Sequence, residues 1–135
     1  KKANEIAVSG TPYLLRPKHQ HMIVLVLPKR EVDVTYLKTL ISDFHTKEFS
    51  NEVFEISALL LGLDQHLIMI KAFQDSKESM DYYQVFTENR LIQEFLKKSQ
   101  HKVMSISVEN FKEFYKNKDT EGYYMFFKQK YLTID

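Results

Sequence analysis

The chain has 135 residues, 44% of them apolar, with 19 Lys and Arg against 18 Asp and Glu and a formal net charge of +1. That length and composition suit one domain of ordinary size with a real core, and they exclude disorder. The charge balance argues against a protein built to coat nucleic acid, and the absence of cysteine excludes a disulfide scaffold, an iron–sulfur cluster, a thiolate zinc site and a Cys nucleophile.

The longest apolar run, Met22 to Leu27, falls far short of the ~20 residues that span a bilayer. The opening KKANEIAVSG has no Met and no basic region followed by an apolar segment, so it carries no signal-peptide pattern. The chain therefore reads as a piece of a longer one, in which any membrane contact comes through an anchor outside it. Residues 1–12 end in Ser9-Gly10-Thr11-Pro12 and read as a linker from a preceding region. Residues 13–135 read as the domain.

Tyr13-Leu14-Leu15 suits a short edge strand or a packed arm. His21 to Leu27 is apolar on both pleat faces, with Ile23, Leu25 and Leu27 on one and Met22, Val24 and Val26 on the other. Its β-branched content and the stop at Pro28 predict a buried central strand. Asp33 is a good N-cap, Val32 can staple onto Leu37, and Leu37, Leu40, Ile41 and Phe44 recur at helical spacing.

Val53 to Leu61 and His66 to Phe73 are β-rich runs joined by Gly62-Leu63-Asp64-Gln65, a hairpin pattern. Both contain stretches apolar on both faces. Asp75-Ser76-Lys77-Glu78 is a capping-box pattern opening a helix that would turn Met80, Tyr83 and Phe86 inward. Asn89 suits its stop, and Arg90 to Lys98 a short helical extension. Lys102 to Val108 alternates, with Ser105 and Ser107 on the polar side, which predicts a half-exposed strand. Asn110 with Glu113 suits the cap of a last helical segment in two pieces, Phe111 to Lys116 and Thr120 to Leu132, broken near Asn117.

The order β-α-β-β-α-β followed by a helix predicts an α+β fold. Right-handed crossovers on both sides of the hairpin give a ferredoxin-like split βαβ sandwich with an additional C-terminal helix. A meander with segregated helices is the competing topology. Two helices cover only one face of such a sheet, so the other needs either the C-terminal helix or a second copy of the chain, a homodimer through the sheet.

His19 and His21 lie one residue apart and, on a strand, would share a face. No further ligand stands at useful spacing, so they read as polar residues at the solvent end of the strand, and no metal is expected. The carboxylate pairs Glu31/Asp33, Asp75/Glu78 and Asp119/Glu121 each sit at a predicted helix start, where capping accounts for them. The glycines are isolated, so no phosphate cradle exists. An RNA-binding sheet would need aromatics on its central strands, and His21 to Leu27 and His66 to Ala72 contain none. No catalytic residue, cofactor or nucleic-acid partner follows.

Eight of the 18 aromatics lie between Phe111 and Tyr131. Most suit a core that fixes a C-terminal helix to the sheet. Tyr115, Tyr124 and Phe127 are the candidates for a partner-docking surface, since aromatics with one wet end are favoured at interfaces.

HMIVLVLP, VDVTYLKTLISDFHTKEF, EISALLLGLDQHLIMIKAF, SKESMDYYQVF, SISVENFKEFYKNKD and MFFKQKYL together resemble one family. It is the C-terminal domain of large tetratricopeptide-repeat lipoproteins of Bacteroidetes associated with gliding motility and type IX secretion. The likeness runs from Tyr13 to Leu132, and its distinctive runs are ISDF, MDYY and FYKNKD…FFKQKYL. The resemblance implies a non-enzymatic protein–protein interaction and assembly domain on the periplasmic side of the outer membrane, part of a larger repeat-containing cell-envelope lipoprotein. A small-ligand-binding regulatory domain of the same fold is the alternative.

Overall fold

A computed structural model describes residues 6–7, 11–30 and 32–132. In chain order they form β1 (Ile6–Ala7), β2 (Leu14–Leu15), β3 (His21–Pro28), α1 (Val34–Glu48), β4 (Glu55–Leu61), β5 (Gln65–Phe73), α2 (Ser76–Glu88), α3 (Arg90–Leu96), β6 (Lys102–Ser107), α4 (Val108–Asn117) and α5 (Thr120–Phe127), then a π-helical turn over Lys128–Leu132. The fold is α+β around a four-stranded antiparallel sheet of order β4-β5-β3-β6. The crossover through α1 steps over β5, and the one through α2 and α3 steps over β3. The interleaving puts the two most apolar strands in the centre.

The pleat sorts the core as the alternation predicts. Ile23, Leu25 and Leu27 join Ile68 and Ile70 beneath Leu37, Ile41 and Phe44 of α1, Tyr82 and Phe86 of α2, and Ile92 and Leu96 of α3. Met22, Val24 and Val26 join Leu67, Met69, Met104 and Ile106 on the opposite face, under Phe114, Tyr123, Phe126, Phe127 and Tyr131. The C-terminal segment is thus the cover of the second face. A second copy is not needed there.

Helix starts follow local chemistry. Asp33, Asp75, Asn89 and Asp119 each accept a backbone N–H from the first turn of α1, α2, α3 and α5, at 3.0, 2.9, 2.9 and 2.9 Å. The turn between β4 and β5 needs Gly62, whose φ is +64°. The break between α4 and α5 falls at Lys118, held left-handed at φ +56°, next to the expected position. At Gly122 a Cβ would meet the Asp119 carboxylate, so a side chain there would displace the α5 cap.

Ile6–Ala7 pairs with Leu14–Leu15 as β1 and β2. Several expectations of burial are corrected. β4 is an edge strand, and Leu59 and Leu60 are 40% and 47% exposed rather than buried. β6 is not half-exposed: Ser105 and Ser107 are fully buried. Ser105 meets Ser79 of α2 at 2.6 Å, and Ser107 is itself the cap of α4, accepting from the Asn110 N–H at 3.1 Å. Small hydroxyls here satisfy each other and let α2 lie close to the sheet. The buried stripe of α2 is Ser79, Tyr82 and Phe86. Met80 and Tyr83 are only partly buried and lean toward the opposite core.

Asn110 is no cap. It sits inside α4, 2% exposed, and its side chain acts as a strand edge for β2. Its Oδ1 accepts from the Leu14 N–H at 3.3 Å and from Arg16 Nη1 at 3.2 Å, and its Nδ2 donates to the Leu14 carbonyl at 2.7 Å. That clamp seats Tyr13, fully buried, edge-on against Tyr123 with centroids 5.0 Å apart.

Ending the chain after Ser107 would strip the second face of its aromatic cover. Each buried aromatic contributes ~1.5–3 kcal/mol, and several together rival a whole domain's ~5–15 kcal/mol. The truncated chain is expected to lose its cooperative thermal transition or to associate, and Phe126→Ala in the intact chain to cost ~3–5 kcal/mol in urea unfolding. A truncated monomer with an unchanged midpoint would show that this segment is not core.

Candidate functional site

The three aromatics expected on a docking surface part company. Phe127 is 0% exposed. It follows Tyr123 by one turn on the buried stripe of α5, so it is a core residue and not a surface one. Tyr124 is half-buried, with its ring between Lys102 and Lys128, whose ammonium nitrogens stand 5.3 and 4.7 Å from its centroid. Tyr115 is 37% exposed. It stacks on Phe111 at 5.9 Å and 17°, and its hydroxyl donates to the Leu60 carbonyl at 3.2 Å. Tyr115 therefore reaches the edge strand β4, while Tyr124 looks over β6. They do not form one site.

The two adjacent histidines diverge as well. His19 Nδ1 contacts the Glu109 carboxylate at 3.1 Å in the open. His21 is fully buried, a correction to its expected place at the solvent end. Its Nδ1 lies 2.8 Å from the His19 carbonyl, which can only accept, so Nδ1 carries the proton. Nε2 then accepts from the Tyr131 hydroxyl at 2.7 Å. The π-helical turn, which widens the helix at its end, brings Tyr131 over the start of β3. Beside it, Tyr123 donates to the Ser105 carbonyl at 2.7 Å.

A second His–Tyr pair lies on the other face. His45 of α1 meets Tyr82 of α2 at 2.7 Å, enclosed by Phe44, Phe49 and Phe54. The signal for it was present: His45 is four residues beyond Ile41 and next to Phe44, on the apolar face of α1. Burial depresses both imidazoles, His45 to about 4. Burial also raises Tyr82, Tyr123 and Tyr131 above the usual phenol range. Both pairs are thus neutral at pH 7, and each joins two elements across a buried gap. Tyr13 differs. Its buried hydroxyl has no partner, and burial, with Asp119 and Glu113 near, pushes it up to about 12.

One cleft, of about 460 Å³, opens at the end of the sheet between the β4–β5 turn, the residues before β6 and the α4–α5 break. Its polar groups are largely engaged with one another: Lys102 with Glu121 at 3.0 Å, Thr120 with Gln65 at 3.2 Å, and His101 with the Ser99 carbonyl at 3.1 Å. Among the described residues no group of three or more His, Cys, Asp or Glu could hold a metal ion, and no helix is long and apolar enough to cross a membrane.

The exposed apolar surface gathers elsewhere. Leu59 and Leu60 lie on edge strand β4, with Val53 and Leu63, 96% and 85% exposed, beyond its two ends. β4 contains no Lys or Pro, the residues that usually blunt an edge. Comparison with family models, with curated proteins and with solved structures finds no match for this chain.

Two measurements probe the buried network. Tyr131→Phe is expected to cost ~1–2 kcal/mol, because it leaves the His21 Nε2 buried without a donor. Tyr13→Phe removes an unpartnered hydroxyl and is expected to be neutral or stabilising. Equal losses from both would refute the assigned bonds.

The histidines also set a pH dependence. Unfolded imidazole titrates near 6.5 and folded His45 near 4, so the unfolded chain binds more protons between those values. Stability from this group is complete above about pH 6.5 and is lost as pH falls toward 4, at no more than ~1.4 kcal/mol per pH unit. His21 acts in the same direction. Urea unfolding across this window should show the decline in the native chain, a shallower one in His45→Gln, and the flattest when His21→Gln is added.

Proposed function

We propose that this domain is a non-enzymatic protein–protein interaction module with a ferredoxin-like fold. The strand order β4-β5-β3-β6 with its two interleaved crossovers supports the fold. The observation that carries the function is the unblunted edge strand β4 with its exposed leucines. An open edge offers a row of backbone N–H and C=O groups to an incoming strand, and alternate side chains supply specificity. The polar side chains that could have formed a reaction centre are spent on internal bonds, in the two His–Tyr pairs and across the cleft.

The family resemblance adds the setting. In that reading the module is the C-terminal part of a tetratricopeptide-repeat lipoprotein of the cell envelope, facing the periplasm and linked to gliding motility or type IX secretion. A small-ligand regulatory domain is the second reading, favoured by the cleft between Gly62, Lys102 and Lys118. Its volume lies within the usual ~300–1,000 Å³ of ligand sites, although its walls are more polar than most.

A photo-reactive amino acid placed at Leu59, Leu63 or Tyr115 of the parent protein in its own cells tests the docking edge. Crosslinks to a defined protein are expected from these positions and not from Leu91 on α3, which at 69% exposure is more open than Leu59 or Tyr115. Equal crosslinking from Leu91 would refute the assignment.

A further inference from the structure

We infer that the partner of the β4 edge is a second copy of this chain, paired antiparallel about a two-fold axis at Ala58. This rests on the reading of β4 as a docking edge and names its occupant.

Ala58 is the midpoint of Glu55–Leu61. A symmetric antiparallel pair centred there sets each residue against the one equally far on the other side. Ile56 then opposes Leu60 of the other copy, Ser57 opposes Leu59, and Glu55 opposes Leu61. Leu59 and Leu60 are among the nine exposed large hydrophobics of the described residues. The register gives each of them a position opposite the other copy.

The charges fit the same register. Cross-strand partners share a face, and Leu61 lies with the core under α4 and α5. By alternation Glu55, Ser57 and Leu59 face that side too. A two-fold axis normal to the sheet keeps each face continuous across the pair. The other copy's Glu55 therefore arrives beside Leu61 and Gly62. There the Lys118 side chain lies, its Cδ 3.7 Å from where a Gly62 Cβ would stand. Glu55 and Lys118 enter none of the ion pairs among the described residues. Symmetry makes the contact twice. The Leu60 carbonyl already accepts from Tyr115 and retains a second lone pair for the ladder.

Sedimentation of the purified chain over a wide concentration range should show a monomer–dimer equilibrium. Leu60→Lys is expected to abolish it, while thermal unfolding of the variant monomer confirms an intact fold. Glu55→Lys and Lys118→Glu should each weaken the dimer, by about two- to thirtyfold for two surface ion pairs, and the double reversal should restore it. A chain without cysteine allows a sharper test. Facing Cα atoms of such a pair stand ~4.5–5.5 Å apart, within disulfide reach, so Ala58→Cys should crosslink to itself under mild oxidation, faster than Leu91→Cys. A monomer at every concentration, a dimer indifferent to Leu60→Lys, or no preference for Cys at 58 would overturn the inference. Photo-crosslinks from Leu59 to a different protein, with the purified chain monomeric, would overturn the self-pairing and leave the docking edge standing.

Discussion

Strand β3 carries seven consecutive buried residues, His21 to Leu27, and neither of its faces can be left to water. At ~25 cal/mol per Å² of apolar surface, exposing one side would forfeit more than most domains have to spare. Everything else follows from covering both sides. The crossover helices α1, α2 and α3 close one face. The chain beyond β6 turns back without a loop, Ser107 ending the strand and capping α4 at once, to close the other. With both faces occupied by its own helices, the sheet can meet another molecule only along its edges.

The two histidine–tyrosine pairs express the same constraint in polar form. Each stands where an element must be fixed against its neighbour and where aliphatic packing alone would allow it to slide. A neutral imidazole that accepts one phenol proton sets a direction as well as a distance. His21 orients the π-helical turn Lys128–Leu132 on the first long strand, and His45 orients α2 on α1. Their neutrality is a product of burial, so both lose their fit as the ring gains a proton.

Much of this organisation was legible in the residues. Periodicity placed β3, α1, the β4–β5 hairpin and the two-piece C-terminal segment, because alternation and helical spacing are local properties of the chain. Burial was misjudged where a long-range decision intervened. The leucines of β4 read as buried because their composition matches that of a central strand, yet the crossover order places β4 at an edge. The serines of β6 read as solvent-facing because they alternate with apolar residues, yet α2 approaches closely enough for Ser79 to satisfy Ser105. Asn110 gave a capping signal one turn from the true cap at Ser107. Of the docking candidates, Tyr115 reaches an exposed edge because it stands one residue past the buried Phe114 of α4, whereas Phe127 lies one turn past Tyr123 on the buried stripe of α5.

The clamp at Asn110 sets the path by which a pull on the N-terminal arm would enter the fold. Its two hydrogen bonds to Leu14 lie on α4, so a pull applied at Thr11 enters through the helix that lids the second face rather than through the sheet. Tyr13, wedged against Tyr123, must leave its socket before the load reaches β3. The arm is therefore held by the cover of the second face, and the four-stranded sheet takes no ladder bond from it.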